Sequence, residues 1–446
     1  MTHPPHLIPS QLKLVVVSDV HLNDHDYDGT EFTENPRRKI FREFLTRLNH
    51  EAKSSHQETT LLLNGDVFDI TGSWFSPMLP WEHTDEVVEP ILCKTIERII
   101  NNNQSIINEL HAFLRHKHTH LHFVIGNHDG MLAHSPAAQG LIKQRICQSD
   151  SDILPESLAE KIHFSHSFEL LELGFYAEHG HRFDPFNSVP TAFQATQRHA
   201  FGDYINILLI NRFVEMVSQK LNEAGYSAEL IETVRQELRD IEYLRPLSLV
   251  PLWIQTIANH YQGHPETMQK LFTGRWHETA DSIIRSVLAE ILDANTTRPL
   301  LEQLHLPRRF MATLLNWFVH LPAALPIVTF VITSLVKRTH SNKYQLNMAR
   351  KLAAEKGYRF IAFGHTHQPA VIPMNESAYY FNTGSWKPVM NLYKPDGSKQ
   401  NELDYLTPNV QFNKIGNSGI LVLEKDRQEP NSVTRFYLQT VQSSFL

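Results

Sequence analysis

The sequence predicts an α/β fold with a large helical insertion. Three observations point to it. Short apolar runs alternate with helical patterns through the first third of the chain. Each of these runs ends in a cluster of polar residues. A stretch from 188 to 356 then changes to mainly helical periodicity before strand patterns return.

The elements follow in order. "KLVVVSD" (13–19) is a short apolar run ending in polar residues, the pattern of a strand buried on both faces. "PRRKIFREFLTRLNH" predicts a helix over about 36–50. "TTLLLNGD" (59–66) repeats the strand pattern, one long amphipathic helix is expected over about 85–116, and "HLHFVIGNHD" (120–129) is a third strand. In open α/β sheets, sites form outside the carboxyl ends of the strands. Here those ends read "SDVH", "NGDVFD" and "GNHD", which brings Asp19, His21, Asp66, Asn127 and His128 to one edge.

Two further clusters carry chemistry. "FYAEHGHRFD" (175–184) follows a strand-like run and offers His179 and His181. "RFIAFGHTHQP" (359–369) is a strand followed by Gly364, His365 and His367. Carboxylate, amide and imidazole together suit divalent ions such as Mn, Fe, Zn or Mg. The glycines at 65, 126, 180 and 364 let the backbone turn sharply beside the ions. The chain also holds a second His-Thr-His, at 118–120. It opens a strand instead of following one, and with His122 it reads as the polar face of a half-exposed strand.

Composition bounds the function classes. The 446 residues are 41% hydrophobic and 20% charged, as in a globular protein. A net charge of −7 argues against binding nucleic acid by general attraction to its backbone. Cys93 and Cys147 stand at no metal-ligand spacing and read as reduced thiols. "MTHPPHLIPSQLK" lacks the apolar segment of a secretory signal, so a cytoplasmic location is expected.

The order D-x-H, GDxxD, GNHD, HGH, GHTH resembles the calcineurin-like metallophosphoesterase superfamily. The blocks are Asp19 to His21, Gly65-Asp66 through Asp69, Gly126 to Asp129, His179 to His181, and Gly364 to His367. The resemblance covers 13–187 and roughly 357–390, and it leaves out the segment between them. It implies a two-sheet metallophosphoesterase-type αββα sandwich. It also implies two divalent metal ions, with Mn favoured. One would be held by Asp19, His21, Asp66 and His367, the other by Asp66, Asn127, His179 and His365. Asp66 would bridge them with one oxygen per ion. The implied reaction is hydrolysis of a phosphate ester by a metal-bound hydroxide. His128 would donate a proton to the leaving oxygen, and Asp129 would fix its tautomer and orientation. Asp69 would support the site through hydrogen bonds. His181 and Arg182 are candidates for contact with substrate, and for Arg182 a plain ion pair with Asp184 is the alternative.

The chain thus divides into a core at 1–187, a helical cap at 188–356 and the remainder of the core at 357–446. Cap helices are expected in "DYINILLINRFVEMVSQKLNEAG", "SAELIETVRQELRDIEYL" and "TADSIIRSVLAEILDA". A cap of this kind sets substrate choice and excludes water. Residues 310–336 contain no Asp, Glu, Lys or Arg and are flanked by Arg308-Arg309 and Lys337-Arg338. A single membrane span is excluded, because it would separate Asp19, Asp66 and Asn127 from His365 and His367. Pro322 and Pro326 also break the run into pieces too short to cross. Two readings stay open: a buried helix pair at the core of the cap, or a hairpin at a membrane interface that makes peripheral contact with its inner face.

After GHTH, "PAVIPMNESAYYFNTGSW" reads as two strands joined at 374–377, and "NTGSW" resembles the segment that closes the second sheet of the superfamily. "SGILVLEKD" and "SVTRFYLQTV" are further strands, while 391–416 is polar and turn-rich. The expected substrate is a phosphorylated small molecule or a lipid-linked nucleotide. UDP-2,3-diacylglucosamine hydrolases share the motif order but are more compact. Nucleic acid is disfavoured, and no obligate protein partner is inferred. A non-catalytic binding scaffold on the same fold is the competing class.

Overall fold

The computed structural model describes residues 11–24, 36–55, 57–73, 85–147, 158–184, 187, 212–243, 253, 257, 342–393, 411–428 and 434–445. Strand β1 (Gln11–Val17) pairs in parallel with β2 (Glu58–Asn64). The parallel ladder continues through β3 (Thr119–Val124) to β4 (Ile162–Ser165). On its other side β1 runs antiparallel to the long strand β11 (Gln411–Asp426). β11 also pairs with β10 (Gly384–Tyr393) and β12 (Arg435–Phe445), which completes a seven-stranded sheet.

A five-stranded sheet lies beneath it. It joins β5 (Ser167–Leu170), β6 (Phe175–Glu178), β7 (Phe360–Phe363), β9 (Tyr379–Asn382) and β8 (Ala370–Pro373), in that spatial order. Asn375 shapes the turn between β8 and β9, its Oδ1 accepting from the Ser377 and Ala378 amides.

Alternation along the strands builds the layers. Val15, Val17, Leu61 and Leu63 face one way, into a core shared with helices α1 (Pro36–Ser54), α2 (Asp85–Asn102), α3 (Gln104–Leu114) and α4 (Pro136–Cys147). Leu12, Leu14, Val16 and Leu62 face the other way and meet Phe175, Ala177, Phe360 and Phe381 of the smaller sheet. The outer face of that sheet packs Ile361, Phe363 and Tyr380 against Leu346 and Ala349 of the helix Asn342–Lys356. The result is the αββα sandwich, and both faces of β1 and β2 are apolar because both are covered.

Three expectations need refinement. The single helix expected over 85–116 is two, because Asn103 leaves helical geometry at φ −121° and ψ 32°. Its buried amide donates to the Asn23 and Ile99 carbonyls, contacts that an unbroken helix would not allow. "NTGSW" does not stay in the second sheet. β9 ends there at Asn382, and from Gly384 the chain runs in the seven-stranded sheet. The helix Asn342–Lys356 falls in the range assigned to the insertion, yet it forms a layer of the core.

Of the cap segments, the helices Arg212–Glu223 and Ala228–Arg239 are described, followed by a 3-10 turn Asp240–Tyr243. Phe213, Val217 and Leu221 of the first, and Val234 and Leu238 of the second, are buried at i, i+4 spacing. The expected helix at 279–294 and the apolar stretch 310–336 lie outside the described residues. Among the described residues no helix is long and apolar enough to cross a membrane.

The His-Thr-His of 118–120 behaves as a strand face. His120 and His122 alternate with buried Thr119, Leu121 and Phe123 on β3. His122 Nε2 lies 2.7 Å from the Ser165 hydroxyl, and burial, together with nearby His163, lowers its pKa to about 4. A histidine depressed in the fold binds its proton first in the unfolded chain. Its neutral form therefore destabilises the fold progressively as pH falls from about 6.5 toward 4, by roughly 1 kcal/mol per pH unit in mid-window. Urea unfolding of wild type and His122→Gln at pH 7 and pH 5 reads this directly. The stability difference should move in favour of the mutant at pH 5, and a pH-independent difference would refute the assignment.

Candidate metal centre

The carboxyl ends of β1, β2, β3, β6 and β7 all feed one edge. The loops after β1 and β2 stay coupled there, since the amides of Asp19, His21 and Leu22 donate to the carbonyls of Gly65, Asp66 and Val67. These loops adopt an unusual backbone. Among the described residues, the only non-glycine positions with positive φ are Asp19 (54°), His21 (51°), Asp66 (53°), His365 (68°) and His367 (57°). All five are candidate ligands. Left-handed geometry costs a residue with a Cβ of order 1 kcal/mol, and such strain concentrates where function over-determines the chain.

The motif glycines act by absence. A Cβ on Gly126 would lie 2.1 Å from Asp66 Oδ1, and one on Gly364 would lie 2.4 Å from Asp19 Oδ2. Each glycine is the floor on which a carboxylate from another loop rests. The sharp turn expected at Gly65 is also present, with φ 87° and His179 seated on its Cα.

The side chains gather in overlapping groups. Asp19, His21 and His367 offer ligand atoms close together, so do Asp66, His179 and His365, and His21, Asp66 and His128 form a set between them. His21 Nε2 lies 3.4 Å from His367 Nε2, and His367 Nε2 lies 3.2 Å from Asp19 Oδ1. Two nitrogens each about 2.1 Å from one ion at a tetrahedral angle stand about 3.4 Å apart, so the spacing suits a shared cation. The groups meet at Asp66. Its Oδ1 accepts from the His128 amide at 2.8 Å, while Oδ2 lies 3.1 Å from His179 Nε2 and 3.9 Å from His21 Nε2. Oδ2 thus faces both His179 and His21, while Oδ1 is engaged by the His128 amide.

The donor set itself calls for cations. His179 Nδ1 lies 3.0 Å from the Asn64 carbonyl, which can only accept, so Nδ1 carries the proton. Nε2 then presents a lone pair to the Asp66 carboxylate. Two acceptors at that distance need a positive charge between them, either a proton or a metal. With a proton there, burial works against the charged ring, but Asp66 and Asp19 outweigh it and raise the pKa of His179 to about 10. His21 is held neutral by burial and by Lys387, with its pKa lowered to about 3, as a nitrogen ligand requires. Asn127 Oδ1 is buried with no hydrogen-bond partner, an amide oxygen suited to a hard cation. These residues fit a pair of divalent ions.

His365 turns Nε2 to Asp184 Oδ2 at 3.0 Å, so a ligand role would fall to Nδ1. Carboxylates that hold a ligating imidazole in this way typically contribute 10- to 100-fold to metal affinity, and about that loss is expected for Asp184→Asn. Calorimetric Mn2+ titration of the metal-stripped protein checks it, and unchanged affinity would remove Asp184 from the centre. Asp184 was legible only as a possible partner of Arg182. The structure instead pairs Arg182 Nε with Glu178 at 3.1 Å, and the Arg182 side chain is 56% exposed. His181 sits beside the second group, its ring centroid 5.5 Å from that of His179. Burial and the neighbouring His179 push its pKa well below the usual value.

The environment of His128 corrects a second expectation. Asp129 does not reach the ring; its carboxylate accepts from the amides of Gly126 (2.6 Å) and Val67 (2.8 Å). Burial, with Asp66 nearby, raises its pKa to about 7. Asp69 takes its place, with Oδ1 2.7 Å from His128 Nδ1, and Thr71 Oγ1 lies 2.8 Å from the same nitrogen. Burial opposes charge on His128, but Asp69 and Asp66 raise its pKa to about 9. Cations bound at Asp66 would cancel that part of the effect.

Sequence reasoning missed Lys387 and Asn382. Lys387 Nζ lies 2.8 Å from Asp69 Oδ2, and both groups are buried. Burial alone would raise Asp69, but Lys387 and His128 hold its carboxyl well below the usual range. Asn382 Nδ2 donates to the Gly364 carbonyl at 2.8 Å and to Thr366 Oγ1 at 3.1 Å, which fixes the turn that carries His365 and His367. The "NTGSW" run contains Asn382 and ends one residue before Lys387.

Residues 12–216 match the family model described as calcineurin-like phosphoesterase. No curated protein sequence matches the chain significantly. Among solved structures, a dimetal phosphatase from Danio rerio aligns over 95% of this chain and 98% of its own, at 9% identity and a TM-score of 0.25.

Proposed function

We propose that this chain, which through residues 12–216 belongs to the calcineurin-like phosphoesterase family, is a dinuclear metal-dependent hydrolase of a phosphorylated small molecule, cleaving a phosphodiester, phosphomonoester or diphosphate bond. One observation carries the reading: Asp66 Oδ2 stands among buried imidazoles and a second carboxylate on strained loops, where a pair of divalent ions would be held by all of them. Asp19, His21, Asp66 and His367 would hold one ion, and Asp66, Asn127, His179 and His365 the other. Such a pair, when bound, supplies an activated water near neutral pH and neutralises charge developing on the phosphate.

The chain's own groups do the remainder. Asn64 and Asp184 hold the His179 and His365 rings in fixed tautomers. Asp69 accepts a hydrogen bond from His128 Nδ1–H, so Nε2 is the nitrogen that passes a proton to the leaving oxygen. His181, neutral and half-buried, and Arg182, exposed and tethered to Glu178, are the candidate contacts for non-bridging phosphate oxygens.

The test is metal analysis joined to turnover. The purified protein should carry up to two transition-metal ions per chain and hydrolyse bis(p-nitrophenyl) phosphate with Mn2+. Chelation should remove activity, and Mn2+ should restore it. A panel of p-nitrophenyl phosphate, nucleoside diphosphates and UDP-linked lipid then separates the substrate classes. A chain that binds no metal and gains nothing from Mn2+ is a scaffold, and the hydrolase reading fails.

A further inference from the structure

The insertion touches the core at the far end of the group chain that begins with His128. Tyr243 ends the 3-10 turn that follows the cap's described helix pair, is 9% exposed, and places its ring 5.8 Å from Lys387 Nζ. Lys387 stands on β10 where the register against β11 shifts between Ser385 and Val389. A bulge of this kind re-aims a side chain, and here it sends an ammonium inward. The segment is tied to the first ligand loop, since the Lys387 amide donates to Ser385 Oγ and Ser385 Oγ and the Trp386 amide both donate to the Asp19 carbonyl.

The Asp69 carboxylate is divided among several claimants. Oδ1 accepts from His128 Nδ1 and from the Gly72 amide at 3.0 Å. Oδ2 accepts from Lys387 and lies 3.5 Å from His21 Nδ1. The two oxygens of an aspartate turn together about the Cβ–Cγ bond. Whatever pins Oδ2 therefore also decides whether Oδ1 faces His128, and Lys387 is the strongest of the groups that pin it.

Resting on the hydrolase reading above, we propose that Lys387 is a positioning residue that aligns the proton donor His128 through Asp69, and that Tyr243 of the insertion, seated over Lys387, couples the cap to that alignment. Through Tyr243 the inserted segment thereby reaches the chemistry.

Turnover of two diesters separates this role from general support. Bis(p-nitrophenyl) phosphate has a leaving group that departs without a proton, whereas diphenyl phosphate needs one. Lys387→Met should lower kcat on diphenyl phosphate by about 10- to 100-fold, with a much smaller loss on the nitrophenyl diester and with KM and metal content kept. Lys387→Arg should restore the larger part. Tyr243→Leu should repeat the same leaving-group bias at smaller amplitude and exceed the effect of Tyr243→Phe, which keeps the ring. The Tyr243 variants decide the matter if Lys387→Met does not fold. Unchanged kcat, or equal losses on both diesters, would overturn the proposal. A wild type inactive on both with metal bound would instead overturn the hydrolase reading. The alignment is then still read in metal-stripped protein, from the 15N-histidine spectrum. The His128 Nδ1–H signal, assigned by its loss in His128→Gln, should be present in wild type and lost or displaced in Lys387→Met. A signal unmoved by that substitution overturns the proposal.

Discussion

Asp66→Asn is expected to lower hydrolysis of bis(p-nitrophenyl) phosphate by at least about 10³-fold and to reduce bound Mn2+ from two ions per chain to at most one. The reason lies in which atom changes. The His128 amide needs an acceptor, and Oδ1 provides it at 2.8 Å. The asparagine must keep its carbonyl oxygen there, which turns its NH2 toward His179 and His21, where Oδ2 stood. A donor then occupies the shared position, with no negative charge to hold two ions. The substitution is nearly isosteric, so the fold should survive. Metal analysis and turnover on the same preparation check the outcome. A variant that keeps both ions and full activity would remove Asp66 from the centre.

His128→Ala should behave differently. It should cost about 10²- to 10⁴-fold in kcat while both ions stay bound, with the larger losses on substrates whose leaving group needs a proton. Loss of metal on this substitution would make His128 a ligand, and equal losses on good and poor leaving groups would remove its role as donor. Asp69→Asn should fall between wild type and His128→Ala, because the ring stays present but loses the carboxylate that sets its tautomer.

Much of this is legible in the sequence. Parallel strands place their loops at one edge, so residues far apart in sequence could be assigned to one place from strand ends alone. That is why Asp19, His21, Asp66, His179, His365 and His367 lie close together in the fold. What escaped was orientation within the loops. Asp129 follows His128 directly and looked like its partner. In the fold the 126–129 turn bends the Asp129 carboxylate back on the Gly126 amide, and an aspartate near the end of the other loop faces the ring. Lys387 escaped for a related reason. Strand alternation does not carry across a register shift, so no periodicity could state that this lysine points inward. The break at Asn103 depends on a carbonyl of Asn23, about 80 residues away, which no local propensity contains.

The pairing of β1 with β11 has a consequence for how the protein is made. β1 carries the loop with Asp19 and His21, yet one of its two edges is covered by residues 421–426, about 400 positions later. At a synthesis rate of about 5–20 residues per second, the interval is roughly 20–80 s. For most of that time β1, and then β2 and β3 with their acidic loop ends, exist without His365, His367 or the covering strand. A nascent chain in this state exposes an apolar strand edge together with part of a cation site, which makes it open to β-strand addition and to capture of the wrong ion. Assembly of the centre is therefore expected to be a late, non-local step, and truncation just before β11 should yield a chain that aggregates rather than a smaller enzyme.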